Sequence, residues 1–295
     1  MTPQPPPDVL ESQNRKLLRV AFFGDIVGKP GREAFAYAAK RMREENKADA
    51  IIVNAENARH GAGLHPAGYQ EIKDAGADLV TLGDHACDEA SIFPTVRDPQ
   101  EALIRPSNLG PAKKSLAEGR TFARLYKSNG SPTPIYVTTV TGRVHMKHES
   151  SDPFAAMDTQ VNTIADEHPD AMVIVEAHCE ATSEKNALTF HAIEKHRGRV
   201  IAVVGTHTHV QTADPRLVGG VASLTDLGMC GGHGGVIGFD PTLSRKRLIR
   251  QSGGKLEPCD QDLQATGALI TVDTEAKSAT SIELIRIRTQ ETLVK

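Results

Sequence analysis

Residues 200–210 read VIAVVGTHTHV. An apolar run rich in valine enters Gly205 and then presents His207 and His209 on either side of a threonine. Such a run, β-branched and bounded by glycine, reads as a buried strand. In extended chain, residues i and i+2 lie on one side, so both rings are expected to reach a single point beyond the strand end. Imidazole is the commonest side-chain ligand for transition metals near neutral pH.

Four other apolar runs end in groups of the same kind. Residues 17–23 lead into Gly24-Asp25, and residues 50–53 into Asn54-Ala55-Glu56-Asn57. Residues 79–82 lead into Gly83-Asp84-His85, and residues 172–175 into Glu176-Ala177-His178. Taken singly, each has a plainer reading. Asp25 suits a helix N-cap, Asn57 a turn, and His178 a satisfied core position. Recurrence at five strand ends outweighs those readings, because ligands of open α/β sheets bind outside the carboxyl ends of the strands.

Helical patterns separate the strands, at residues 32–45, 67–75, 89–96, 153–167 and 183–195. Asp152 is placed as an N-cap with Pro153 at the first helical position. The alternation predicts an α/β fold of βαβ units with a mainly parallel sheet. Residues 105–150, rich in Pro, Gly, Lys and Ser, carry two β-like runs at 121–126 and 135–140. They suggest a small inserted lobe or an antiparallel extension. Residues 268–272 and 281–287 read as two closing strands, and residues 228–238 as a Gly-rich loop. The organisation is a flexible Pro-rich tail over residues 1–16, then one domain over 17–295.

Composition narrows the function. The formal charge of -3 over 295 residues predicts no broad nucleic-acid or membrane surface. It leaves room for a local basic patch around an anionic substrate and for a homo-oligomer. Cys87, Cys179, Cys230 and Cys259 form no C-x-x-C pair, and this usage fits a reducing cytoplasm. Gly24, Gly28 and Gly31 match neither the dinucleotide nor the Walker spacing. They are expected to let the backbone pass close to a metal, with the next helix start facing an anion. Arg105, Asn108 and Arg143 are polar candidates for a phosphate or base.

The donor chemistry is mixed carboxylate, amide and imidazole. It suits iron, manganese or zinc better than an all-oxygen magnesium or calcium cage. About seven groups exceed one tetrahedral zinc. They fit two metals sharing a carboxylate, roughly 3.5–4 Å apart, as in hydrolytic two-metal sites.

GDIVGKPGR (24–32), NAEN (54–57), EATSEK (180–185), GTHTHVQTAD (205–214) and TDLGMCG (225–231) resemble the YmdB-like branch of the calcineurin-type metallophosphoesterases. The resemblance implies a metallophosphoesterase β-sandwich core flanked by helices, with a binuclear centre of two metal ions, iron foremost. It implies phosphodiesterase activity on a small phosphodiester such as a 2′,3′- or 3′,5′-cyclic nucleotide, by attack of a metal-bound hydroxide. Its ligands map onto Asp25, Glu56, Asn57, Asp84, His178, His207 and His209, with Glu56 bridging. His85 maps onto the catalytic histidine. The chain departs from the family at Asp84, where Asn is usual. It departs again at Ala86-Cys87-Asp88, where Thr-Trp-Asp is usual, and at Glu176-Ala177-His178-Cys179, where Asp-Phe-His-Ala is usual. The rival readings are a phosphomonoesterase, and a regulatory nucleotide- or protein-binding protein with structural metals.

Overall fold

The computed structural model describes residues 16–110, 118–249 and 254–289. The expected tail lies outside them except for Lys16, whose carbonyl accepts from the Thr274 N–H at 3.1 Å. Part of the expected middle extension, residues 111–117, lies outside them too.

Two sheets stack face to face. In the first, β1 (Leu17–Phe23) runs parallel to β3 (Ala50–Asn54), followed by β4 (Leu79–Thr81) and β5 (Leu103–Ile104). On its other side β1 is antiparallel to β13 (Leu263–Asp273). Where β1 ends at Phe23, β12 (Met229–Gly232) takes over the same edge of β13 and carries β2 (Asp25–Ile26). The other edge of β13 is covered by β14 (Ser278–Arg288). The second sheet has the order β10 (Arg216–Val218), β11 (Val221–Leu224), β9 (Val200–Thr206), β8 (Met172–His178), β7 (Pro132–Thr141), β6 (Phe122–Tyr126). Its four central strands are parallel and its edge strands antiparallel.

The alternation of side chains divides the core into three layers. Val20, Phe22, Ile52, Ile174 and Val204 fill the space between the sheets. Ala21, Phe23, Ile51 and Val53 face outward and are covered by α1 (Gly28–Glu44) and α2 (Pro66–Asp74). Strands buried on both faces read as continuous apolar runs, which is why β1, β3 and β9 stand out in the sequence. Burying Phe22 or Phe23 contributes about 1.5–3 kcal/mol each. On the far side, Val173, Val175 and Val203 pack under α4 (Pro153–Glu167) and α5 (Thr182–Lys195). The Asp152 side chain caps α4 by accepting from the Phe154 N–H at 2.8 Å. Two shorter helices, α3 (Phe93–Arg97) and α6 (Pro241–Leu248), follow β4 and β12 in the chain.

The expectation of one mainly parallel sheet is corrected to two mixed sheets. A strand–helix alternation records the order of elements but not which sheet each strand joins. The pair foreseen in the middle of the chain, β6 and β7, extends the second sheet. α1 starts at Gly28, four residues before the helical pattern, because Pro30 is tolerated in a first turn. In β9, Val200 pairs with Val173 but Ala202 with Ile174. Ile201 is therefore an extra residue, and the bulge turns both Ile201 and Ala202 toward the intersheet layer.

Candidate metal centre

The carboxyl ends of β1, β3 and β4 in one sheet meet those of β8 and β9 in the other. Glu56, Asp84, His178 and His207 form a group that could hold a metal ion, each offering one ligand atom within 4.8 Å of the others. His178 Nε2 lies 3.1 Å from Asp84 Oδ1, 3.2 Å from Glu56 Oε1 and 3.1 Å from His207 Nδ1. His207 Nδ1 is 3.4 Å from the same Asp84 oxygen. Asp84 thus faces the cluster.

The remaining expected ligands adjoin this group. His207 and His209 do not share one point. Strand β9 ends at Thr206, and both histidines have positive φ, 98° and 64°. The turn sends His207 to His178 and Asp84, and His209 to Asn57, whose Nδ2 is 3.2 Å from His209 Nε2. The extended-chain argument fails here because the chain has already left the strand. Asn57 Nδ2 also lies 3.1 Å from Glu56 Oε1. Asp25, fully buried in β2, accepts from the His207 N–H through Oδ2 at 3.1 Å, while its Oδ1 has no partner among the described residues.

Tautomers follow from the surrounding network. Glu176, buried behind His178, accepts from Asn54 Nδ2 at 2.7 Å, Thr206 Oγ1 at 2.8 Å and Thr139 Oγ1 at 3.0 Å. The only Thr206 hydroxyl proton is spent there, so Thr206 Oγ1 accepts from His178 Nδ1 at 2.9 Å. That leaves Nε2 aimed at the cluster. Likewise His209 Nδ1 donates to the Ile237 carbonyl at 2.9 Å, leaving its Nε2 lone pair inward. Such outer partners fix ring orientation at metal sites.

The donor set fits a cation. His178 Nε2 faces two carboxylates and a second imidazole nitrogen, and lone pairs gathered this way require a positive charge among them. Burial opposes charge on His178, but Glu56 and the hydrogen bond to Asp84 overcome it and raise its pKa well above the ordinary value. Burial also pushes Asp84 up, yet the hydrogen bonds from His178 and His207 outweigh that and lower it. Glu56 is lowered against its burial by the His178 charge. Asp25 is pushed up to about 7, chiefly by burial. Burial lowers His209.

The turn bearing both histidines is held from below by a buried ion pair. Lys185 Nζ lies 2.6 Å from Asp226 Oδ2, with side-chain exposures of 2% and 1%. Asp226 Oδ2 also accepts from Thr208 N at 3.2 Å and Thr208 Oγ1 at 2.8 Å, and its Oδ1 from Gly228 N at 2.8 Å. EATSEK and TDLGMCG are therefore tied to the His207-Thr208-His209 turn.

A cavity of about 660 Å³ opens on the cluster. His85 lines it, with its Nδ1 2.6 Å from Asp88 Oδ2 and its backbone N–H donating to Glu56 Oε2 at 2.9 Å. Burial lowers the His85 pKa, but Glu56, Asp84 and Asp88 raise it above the ordinary value. Phe239, Ile237, Lys147, Arg247 and Lys255 also border the cavity. None of Arg105, Asn108 and Arg143 does. Arg105 is buried and donates to the Pro106 carbonyl, and Asn108 clamps the Thr141 and Ser151 carbonyls.

The glycine expectation is corrected as well. A Cβ at Gly24 or Gly31 would strike the carbonyl oxygens of Gly228 or Cys230, at 2.0 and 2.3 Å. Those glycines admit the backbone around β12. The glycine beside the cluster is Gly83, where a Cβ would lie 2.2 Å from Glu56 Oε2 and 2.3 Å from His178 Nε2. The first N–H of α1, at Gly28, donates to the Asn57 carbonyl at 2.9 Å, so this helix start positions Asn57 and not an anion.

Fold and site together define a two-sheet sandwich with a cluster at the strand ends that could hold a metal ion. The chain belongs to the YmdB-like family, whose model, described as YmdB-like protein, matches residues 21–285. It is 35% identical over 271 residues to a Bacillus subtilis protein named 2′,3′-cyclic-nucleotide 2′-phosphodiesterase, covering 92% of this chain and 97% of that one. A crystal structure from Mycoplasma pneumoniae, described as a novel phosphatase, superposes with a TM-score of 0.81 at 31% identity, covering 93% and 94% of the two chains. A hypothetical protein from Thermus thermophilus gives a TM-score of 0.77 at 33% identity, covering 92% and 99%.

Proposed function

We propose that the chain is a metal-dependent phosphodiesterase acting on cyclic nucleotides, 2′,3′-cyclic ones foremost, and that it works in the cytoplasm. The observation that carries this is the convergence of two carboxylates and a second imidazole nitrogen around His178 Nε2, beside an open cavity that Glu56 and His207 line. Glu56, Asp84, His178 and His207 would hold one ion. Asp25, Glu56, Asn57 and His209 would hold the other, with Glu56 shared and iron as the preferred metal. For Asn57 to offer Oδ1, its amide turns over relative to the Nδ2 contacts described above. Bound there, two cations supply an activated water as nucleophile and neutralise charge developing on the phosphoryl oxygens.

The chain's own residues then have separable tasks. Thr206 and the Ile237 carbonyl hold His178 and His209 in the tautomers that present Nε2 inward. Asp88 accepts from His85 Nδ1, which fixes the ring and leaves Nε2 to carry the second proton. His85 gives that proton to the leaving alkoxide, a step typically worth ~10²–10⁴-fold.

The nearest rival is a phosphomonoesterase, which the description of the Mycoplasma pneumoniae relative as a phosphatase keeps in view. Turnover of metal-reconstituted protein on bis-aryl and mono-aryl phosphates, beside a cyclic-nucleotide panel, separates the two. Diester and cyclic-nucleotide hydrolysis exceeding monoester hydrolysis supports the proposal. Monoester turnover with inert diesters overturns it.

A further inference from the structure

From the charges around the cavity we infer that its ligand carries a second phosphate, one nucleoside away from the scissile one, and that Lys147, Arg247 and Lys255 receive it. The inference rests on the phosphodiesterase reading and extends it to the substrate class.

These three cations come from three separate segments. Lys147 lies in the loop after β7, Arg247 in the last turn of α6, and Lys255 in the segment beyond it, and all three border the one cavity. Each is exposed and makes no ion pair with an acidic side chain among the described residues. Many other lysines and arginines of this chain are paired; Arg32 with Glu71 and Lys73 with Glu101 are examples. The chain as a whole carries a formal charge of -3, so a positive cavity rim runs against its average. Of the acids on the same cavity, Glu56 belongs to the proposed metal set and Glu180 stands 3.2 Å from His207 Nε2.

Charge balance then points beyond a cyclic mononucleotide. Two divalent cations bring +4, which Asp25, Glu56, Asp84 and the hydroxide formed from the activated water would offset in full. One cyclic phosphodiester, with its single negative charge, is then matched by one of the three cations. Two of Lys147, Arg247 and Lys255 are surplus to that ligand. A further phosphate group matches them, either the 5′-phosphate of a free nucleotide or the internucleotide phosphate at the 3′ end of a short RNA. Guanidinium and ammonium groups are the side chains that recognise phosphate. Ile237, Phe239 and Leu256, bordering the same cavity, offer apolar surface for the intervening nucleoside.

The test compares three substrates at equal ionic strength with metal-reconstituted protein: adenosine 2′,3′-cyclic phosphate, its 5′-phosphorylated form, and the dinucleotide ApA ending in a 2′,3′-cyclic phosphate. The inference expects kcat/KM at least tenfold higher for one or both of the latter two, and the larger advantage identifies the source. The advantage shrinks as salt rises. It collapses toward unity in the triple variant Lys147→Ala/Arg247→Ala/Lys255→Ala and largely survives Lys→Arg exchange at 147 and 255. Equilibrium binding of adenosine 3′-phosphate, adenosine 3′,5′-bisphosphate and the dinucleotide ApAp gives the same comparison without turnover. Equal kcat/KM and equal affinity across each series, with matching salt slopes, overturn the second-phosphate site. If no substrate is hydrolysed but the bisphosphate binds tenfold tighter, the phosphodiesterase reading fails and the anion site stands.

Discussion

Replacing Lys185 by methionine tests whether the buried ion pair supports the His207-Thr208-His209 turn. Methionine keeps much of the stem's volume and removes the ammonium that sits 2.6 Å from Asp226 Oδ2. Both side chains are almost wholly buried, so Asp226 is left as an uncompensated charge. Removing one partner of such a pair typically costs about 3–5 kcal/mol. Three donors remain on Asp226, from Thr208 N, Thr208 Oγ1 and Gly228 N, which places the expected cost near the lower end, about 3 kcal/mol. Urea unfolding at neutral pH measures it, with Asp226→Asn and the double variant completing a cycle. The double variant, which has no buried charge to strand, is expected to recover about 1 kcal/mol or more relative to Lys185→Met. Because Asp226 grips Thr208 between the two histidines, Lys185→Met also lowers metal retention during dialysis. A loss below about 1 kcal/mol with unchanged metal content would refute the reasoning, since it would mean that Asp226 is not a stranded charge.

His85→Ala is expected to keep its metal and lose ~10²–10⁴-fold in kcat, because the ring lines the cavity and is held by Asp88; loss of metal along with activity would place His85 among the ligands. Asp84→Asn removes a charge facing His178 and His207, so chelator strips metal from it faster than from the parent; equal release rates would show that Asp84 is not a ligand. Ile237 is a β-branched residue at φ 46° in the two-residue turn between Val236 and Phe239, with its side chain half exposed. Ile237→Asn is therefore expected to raise stability by about 1 kcal/mol while the backbone carbonyl still accepts from His209; a fall in denaturant midpoint would contradict this. Asp158 accepts from His191 and His196 at 2.7 and 2.6 Å. Its pKa is lowered, burial working against the shift and the two hydrogen bonds outweighing it. A depressed carboxylate stabilises above its unfolded value of about 4 and stops doing so as pH falls through the folded one. Asp158→Asn thus costs up to about 1 kcal/mol at pH 7, and its denaturation curve converges with the parent's at acid pH.

The strand ends were legible because each candidate group follows an apolar run. Position points to the stretches that hold Asp25, Glu56, Asp84, His178 and His207, and the resemblance picks these residues out of them. The division of labour between His207 and His209 was not legible, because it depends on positive φ at both residues, and a non-glycine sequence gives no sign of that. Glu176, Asn54, Thr139 and Thr206 were missed as a network because they reach one another across strands distant in sequence. Lys185 and Asp226 lie inside EATSEK and TDLGMCG, two of the motifs that carry the resemblance; their pairing depends on how α5 packs beside the loop after β11. Arg105 and Asn108 misled because a polar residue in a Pro- and Gly-rich segment looks exposed, whereas both satisfy backbone carbonyls in the interior. Lys147, Arg247 and Lys255 lie in stretches without periodicity or spacing that would single them out.

The most direct test of the account is a metal titration read against turnover. Protein stripped of metal is reconstituted stepwise with ferrous or manganous ion, and bound metal per chain is measured beside hydrolysis of adenosine 2′,3′-cyclic phosphate. The account predicts binding that saturates at two equivalents, with turnover rising mainly as the second is taken up. Saturation at one equivalent, or full turnover in metal-free protein, would contradict it.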